Sequence, residues 1–275
     1  MIKINHHLHS TGSDGTLSPE EVIKLAIKKD LSFICFTDHY PFPPGYKEWG
    51  RDFQSEEYYN DIIRLIKKYK DKIEISYGAE FNWVESFVDW TNEEIKKRPY
   101  DYVLGSIHEI KKDNILYNLW PGDGNLENIL NDFKSFDNFA KEYMRQIKML
   151  ISSKLFDGIG HFDLLKIYDS KISSDLENNA SYRKDVIECL DLVKKNDMII
   201  EINTGGFRRP CNEQYPSFWI LQEMNKRNIP ITIGIDSHYE DQMDNNYSEA
   251  IDLAKKAGYT SIVKFKNRKR IEITI

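Results

Sequence analysis

Apolar positions along this chain switch repeatedly between two spacings. The opening "IKINHHLH" is short, carries β-branched residues and runs into a Gly/Ser/Asp cluster, which predicts a strand ending in a loop. "LSPEEVIKLAIKKD" follows with Val22, Leu25 and Ala26 on one helical stripe. Ser18 suits its cap, Pro19 its first helical position, and Glu21 completes a Ser-x-x-Glu capping box. "LSFICFTDH" is nearly continuous in apolar residues, the pattern of a strand buried on both faces. The alternation then repeats. A helix over 54–70 leads to "KIEISYGAEFNW", and a shorter helical stretch near 90–98 leads to "YDYVLGSIHEI". A long helical region within 125–154 precedes "FDGIGHFDLL", and helix 181–196 precedes "MIIEINTGG". Helix 217–227 precedes "IPITIGIDSH", helix 247–257 ends at Gly258, and "TSIVKFKNRKRIEITI" reads as two short strands around a turn at Asn267–Lys269.

Seven strand–helix units with no Gly/Pro/Ser-rich linker predict one α/β domain over residues 1–275, with parallel strands. A (β/α) barrel, distorted and with about seven strands, fits better than the alternative, an open doubly wound sheet. At 40% hydrophobic residues the chain can build a sizeable core, and a net charge of −6 argues against a nucleic-acid surface. Cys35, Cys189 and Cys211 are odd in number and lack paired spacing, so no disulfide framework follows. No signal-peptide pattern and no run approaching a membrane span is visible, so a soluble, cytoplasmic protein without membrane partner is expected.

Chemistry enters with the histidines. On a strand, His7 and His9 share a face while His6 points away. His39 ends the second predicted strand, His108 the fourth, His161 the fifth and His238 the seventh; Glu80 ends the third, and Asp236 stands two residues before His238. The carboxyl ends of barrel strands converge on one mouth. Six of the seven histidines, with a Glu and an Asp, therefore aim at a common point, and the predicted helices contain none. Imidazole mixed with carboxylate suits zinc, manganese or iron, and the set exceeds the needs of one tetrahedral ion. Two or three divalent ions are expected, with Glu80 as a natural bridge.

In this order, "HLHS" at 7–10, "SDG" at 13–15, "TDH" at 37–39, "GAE" at 78–80, "IH" at 107–108, "GHFD" at 160–163 and "DSH" at 236–238 resemble the polymerase and histidinol phosphatase (PHP) superfamily. "EINTGG" with its following arginine pair, and the "AGYTSIVKFKN" ending, are similar to its stand-alone histidinol-phosphate phosphatases. The resemblance implies a distorted (β/α)7 barrel with a trinuclear centre: His7, His9, Glu80 and Asp236 around a first metal, Glu80, His108 and His161 around a second, and Asp14, His39 and His238 around a third. It implies hydrolysis of L-histidinol phosphate in histidine biosynthesis, by a metal-bound hydroxide, with Glu80, Asp236 and His238 as the catalytic groups. Asp38, beside a ligand, is expected to orient an imidazole.

Arg208 and Arg209 follow the sixth strand and are expected to clamp phosphate; Lys166, just beyond "GHFDLL", is a further substrate-binding candidate. Relatives often carry an arginine near the place of Lys166, and lysine is not an equivalent fork. Trp83, Trp120, Phe207 and Tyr239 are candidates to wall an imidazole pocket, and the loop at 40–50 to cover it. Other readings keep a different small monoester or a phosphotyrosine peptide as substrate, or a metal-binding scaffold without activity. A zinc amidohydrolase is disfavoured, because those commonly bridge with a carboxylated lysine where Glu80 stands.

Overall fold

In a computed structural model, the described residues are 2–46, 50, 52–113, 115–119, 125–171 and 176–275. In chain order the strands are β1 (Ile4–Asn5), β2 (Phe33–Phe36), β3 (Glu74–Asn82), β4 (Tyr102–Ser106), β5 (Glu109–Lys112), β6 (Ile115–Asn118), β7 (Gly158–Ile159), β8 (Ile199–Asn203), β9 (Ile231–Gly234), β10 (Ser261–Lys266) and β11 (Lys269–Thr274). The helices are α1 (Pro19–Lys28), α2 (Glu56–Tyr69), α3 (Val88–Lys96), α4 (Asn125–Phe133), α5 (Phe136–Ser153), α6 (Ala180–Lys195), α7 (Phe218–Lys226) and α8 (Tyr247–Lys256).

Seven parallel strands run in the order β1-β2-β3-β4-β7-β8-β9. The two edges meet: His6 N–H donates to Ile233 O at 2.9 Å, Asp236 N–H to His7 O at 2.7 Å and His9 N–H to Ser237 O at 2.9 Å. These bonds turn the sheet into the expected seven-stranded barrel, and the open-sheet alternative is set aside. The strands are buried on both faces, as their continuous apolar runs require. The capping box at Ser18 and Glu21 forms as read from sequence.

Two local readings change. The helical region 125–154 is two helices, broken where Lys134 takes a φ of +68° and Ser135 caps α5 by accepting from Asn138 N–H. "YDYVLGSIHEI" is also two elements: β4 ends at Ser106, and Glu109 opens an antiparallel hairpin, β5–β6. Its charged, mixed pattern gave no strand alternation to read. The tail does form a hairpin, β10–β11, through a two-residue turn in which Asn267 and Arg268 both have positive φ, the geometry favoured between twisted strands.

That last hairpin closes the amino end of the barrel. Asp101, just before β4, accepts from Asn267 N–H at 2.9 Å and Lys266 Nζ at 2.8 Å. Ser76 on β3 donates to Phe265 O, and Phe265 N–H donates to His6 Nε2 at 3.0 Å. With the bottom plugged, the carboxyl ends of the strands open at the opposite mouth.

Candidate metal centre

At that mouth, loop and strand ends bring nine of the sequence-predicted residues together. His7 and His9 stand on the segment leaving β1, Asp14 on the loop after it, and His39 just past β2. Glu80 lies within β3, His108 follows β4, His161 follows β7, and Asp236 and His238 follow β9. His161 and Asp236 have φ of +23° and +55°, left-handed backbone that non-glycine residues rarely adopt, and both turn a side chain toward the centre.

Glu80, 1% exposed, sits in the middle. Its Oε2 lies 3.2 Å from His7 Nε2, 3.5 Å from His9 Nε2 and 3.0 Å from His39 Nδ1. Its Oε1 lies 3.3 Å from His108 Nε2 and 3.2 Å from His161 Nε2. Asp236 Oδ1 lies 3.4 Å from His9 Nε2 and 3.6 Å from His238 Nδ1. Asp14 reaches His238 Nε2 at 3.4 Å and His39 Nε2 at 3.7 Å. Burial alone would push the Glu80 carboxyl up, but His7, His39 and His108 outweigh it and hold it well below its ordinary value. Burial likewise opposes protonation of His39, and Glu80 outweighs it, raising that imidazole to about 9.

Protons alone satisfy this arrangement poorly. His7 Nε2 faces His9 Nε2 at 3.1 Å, and His108 Nε2 faces His161 Nε2 at the same separation. Two ring nitrogens so placed leave a lone pair pointing at a lone pair, or at most one proton between them. Glu80 Oε2 is buried with three imidazole nitrogens within 3.5 Å, none of them in good hydrogen-bond geometry. Three sets of donor atoms each gather within 4.8 Å: His7, His9 and Asp236; His39, Glu80 and His108; and His9, Asp14, His39 and His238. Nitrogen and carboxylate donors converging on shared points fit divalent transition ions.

The cluster opens into a cavity of about 800 Å³ lined also by Phe42, Glu109, Asn118, Leu119, Leu164, Arg208, Arg209, Tyr215, Tyr239 and Gln242. Arg208 Nη2 donates to Ile235 O at 2.9 Å and Asp236 O at 2.7 Å, fixing the guanidinium over Asp236. Its Nη1 is buried without a partner.

Other candidates fall elsewhere. Lys166 does not line the cavity: it is 2% exposed, and its Nζ is spent on Glu213 at 2.6 Å, Gln214 O at 2.5 Å and Ser217 Oγ at 3.1 Å. Trp83 borders a separate, smaller cavity and donates to Gln146 Oε1 at 3.0 Å. Phe207 is half-buried and does not line the main cavity, Tyr239 does, and Trp120 lies outside the described residues. Of the 40–50 loop, Phe42 reaches the cavity wall; 47–49 lie outside the described residues. Asp38 touches no imidazole. It accepts from Ser10 N–H at 2.7 Å, Ser13 Oγ at 2.7 Å and Tyr58 Oη, so it ties down the loop carrying Asp14. His6 points away as expected, stacked on Phe33 with ring centroids 4.6 Å apart.

Sequence reasoning passed over Glu201 on β8. Fully buried, it lies against His7 Nδ1, while Asn82 takes the corresponding place beside His108 Nδ1 at 3.2 Å.

A closed barrel with an imidazole–carboxylate cluster at its carboxyl mouth defines a metal-dependent barrel hydrolase. The chain belongs to the PHP domain family, whose pattern matches residues 5–205. The histidinol-phosphatase of Lactococcus lactis is 30% identical over 284 residues, spanning 99% of this chain and 100% of that one. The Bacillus subtilis histidinol-phosphatase is 26% identical, over 86% of this chain and 94% of its own. Among solved structures, the Lactococcus lactis histidinol phosphate phosphatase, in complex with zinc, L-histidinol and phosphate, superposes with a TM-score of 0.79 at 26% identity, covering 98% of both chains. A Listeria monocytogenes chain shares the fold with a TM-score of 0.82 at 21% identity, over 90% of this chain and 99% of that one.

Proposed function

We propose that this chain hydrolyses L-histidinol phosphate to L-histidinol and phosphate, a step of histidine biosynthesis, as one domain over residues 1–275. The observation that carries the reading is the cluster of six imidazoles and three carboxylates, buried at its centre and half-buried toward the cavity, beside an unpartnered guanidinium nitrogen. It occurs in a chain that aligns end to end with a histidinol-phosphatase.

In this reading His7, His9, Glu80 and Asp236 hold one divalent ion, Glu80, His108 and His161 a second with His39 close by, and Asp14, His39 and His238 a third. Bound there, the ions supply Lewis acidity, offsetting the two negative charges of a phosphate monoester and acidifying water. Glu80 would bridge two of these positions, since its two oxygens face different imidazole sets. Arg208, held by two carbonyls through Nη2, offers Nη1 to a phosphate oxygen, and Arg209 adds charge at the same wall. Asp236 and His238 line the cavity, and this reading gives them, with Glu80, the catalytic roles beside the reacting phosphate. Phe42, Leu119, Leu164 and Tyr215 give the cavity an apolar wall, with Glu109 and Asn118 polar beside it. Among the described residues no helix is long and apolar enough to cross a membrane.

The test is phosphate release from L-histidinol phosphate beside sugar, nucleotide and phosphotyrosine monoesters, compared as kcat/KM. A preference of at least tenfold for histidinol phosphate is expected at the ~1.4 kcal/mol such discrimination needs. A better ester elsewhere in the panel replaces the substrate, and silence on every ester removes the phosphatase reading.

A further inference from the structure

Glu201 lies beneath the cluster, where nothing in the motif pattern gave it a role. It is 0% exposed, on a strand otherwise apolar toward its neighbours Ile200 and Ile202. A carboxylate there cannot be solvated, so its bonds account for it. His7 Nδ1 lies 3.0 Å from Oε1 and 2.9 Å from Oε2. The backbone N–H of His161 donates to Oε1 at 2.8 Å, and Asn203 Nδ2 donates to the same oxygen at 2.8 Å. The orientation of the Asn203 amide is not free, because its Oδ1 accepts Gly205 N–H at 2.8 Å. Gly234 makes the space: a Cβ there would run into Glu201 Oε2 and the His7 side chain.

From this geometry we infer that Glu201 is a positioning residue that selects the tautomer of His7, leaving its Nε2 bare toward the cation site, and pins the backbone that carries the His161 imidazole. The inference rests on the metal-centre reading above. Two N–H donors already occupy Oε1, so the carboxylate acts as an acceptor and His7 must place its proton on Nδ1. The lone pair of His7 Nε2 then faces His9, Glu80 and Asp236. The second grip holds the N–H of His161, the residue with the left-handed φ of +23°. One side chain on β8 thus sets the donor atom contributed after β1 and anchors the backbone of the donor after β7.

The diagnostic substitution is Glu201→Gln, which keeps volume. With its amide oxygen accepting from His161 and Asn203, its NH2 faces His7 Nδ1 and forces the proton onto Nε2, the wrong nitrogen. With the amide reversed, the His161 N–H loses its acceptor. Either way a cation site is spoiled, whereas a role in packing alone would tolerate the change.

Zinc binding by chelator-stripped protein would be measured calorimetrically for the unmodified chain, Glu201→Gln and Glu201→Ala, with circular dichroism confirming the fold. A loss of about 10- to 100-fold in affinity for at least one ion is expected in both variants, the range usual for partners that orient metal-binding histidines. Unchanged affinity and stoichiometry in folded Glu201→Gln overturns the inference while leaving the metal centre intact. An unmodified chain that binds no zinc overturns both. If neither variant folds, the zinc-loaded unmodified protein, with 15N-labelled histidine, decides by NMR. A proton on His7 Nδ1 with metal-bound Nε2 supports the inference, and the reverse assignment overturns it.

Discussion

His6 and His7 are neighbours in sequence and end in opposite worlds. His6 faces the plugged end of the barrel, stacked on Phe33, with its Nε2 accepting the Phe265 N–H. Burial first, and Lys264 second, push its pKa down to about 3, so it is a neutral packing group. His7 is equally buried, yet Glu201, Glu80 and Asp236 outweigh the burial and raise its pKa well above the ordinary value. Burial does not distinguish them. Strand parity does: one side chain joins apolar rings, and the next joins carboxylates. At the bottom, unpartnered atoms such as His6 Nδ1 and Tyr102 Oη sit among apolar rings, whereas the mouth aims lone pairs and a carboxylate oxygen at shared space.

The comparison can be broken most sharply at Glu80. Glu80→Ala should take phosphatase turnover to background and strip at least one equivalent of metal, with the circular dichroism spectrum unchanged. Retained turnover, read by phosphate release, would remove Glu80 from the centre. Arg208→Ala comes next. Losing charge-assisted hydrogen bonds to the phosphate should raise KM by about 10- to 100-fold, with a smaller fall in kcat. An unchanged KM in steady-state kinetics would mean that Arg208 serves only Ile235 O and Asp236 O.

The bottom of the barrel should answer differently. His6→Ala leaves the Phe265 N–H unpaired and the Phe33 ring uncovered, at a cost of roughly 1–3 kcal/mol, or about 2–6 °C in Tm for a chain of this length. Metal content and KM should not move; a drop in metal content would mean that the two ends are coupled. The smallest effect is the pH dependence of that contribution. The neutral His6 is favoured in the folded state, and the unfolded chain protonates it near 6.5, so its contribution is full above that pH. It declines as pH falls toward about 3, because over that window the unfolded state binds the extra proton. Chemical denaturation of unmodified and His6→Ala proteins should therefore differ less at pH 5 than at pH 7.5.

Much of this was legible in the chain. The two periodicities located the barrel strands and most helices, because strands buried on both faces and amphipathic helices leave distinct apolar spacings. The six mouth histidines stood out by always ending a predicted strand. Other features were hidden because they depend on who lies across the barrel. Lys166 looks from sequence like a phosphate ligand, but Glu213 and Gln214, 47 and 48 residues away, claim its ammonium. Asp38 sits beside His39 in sequence, yet its buried carboxylate turns away from the imidazoles, to Ser10, Ser13 and Tyr58. Glu201 did leave a signal, a lone acid inside "MIIEINTGG", since a carboxylate amid a buried apolar run needs a partner.

The central claim is that the imidazole–carboxylate cluster works as a metal centre for phosphate-ester hydrolysis. Its most direct test is the rate of phosphate release from L-histidinol phosphate by the purified chain before chelation, after chelation, and after return of zinc or manganese, with bound metal quantified at each stage. The account predicts loss of turnover in step with loss of two or three ions and recovery as they return. Full turnover by protein verified to be metal-free would contradict it.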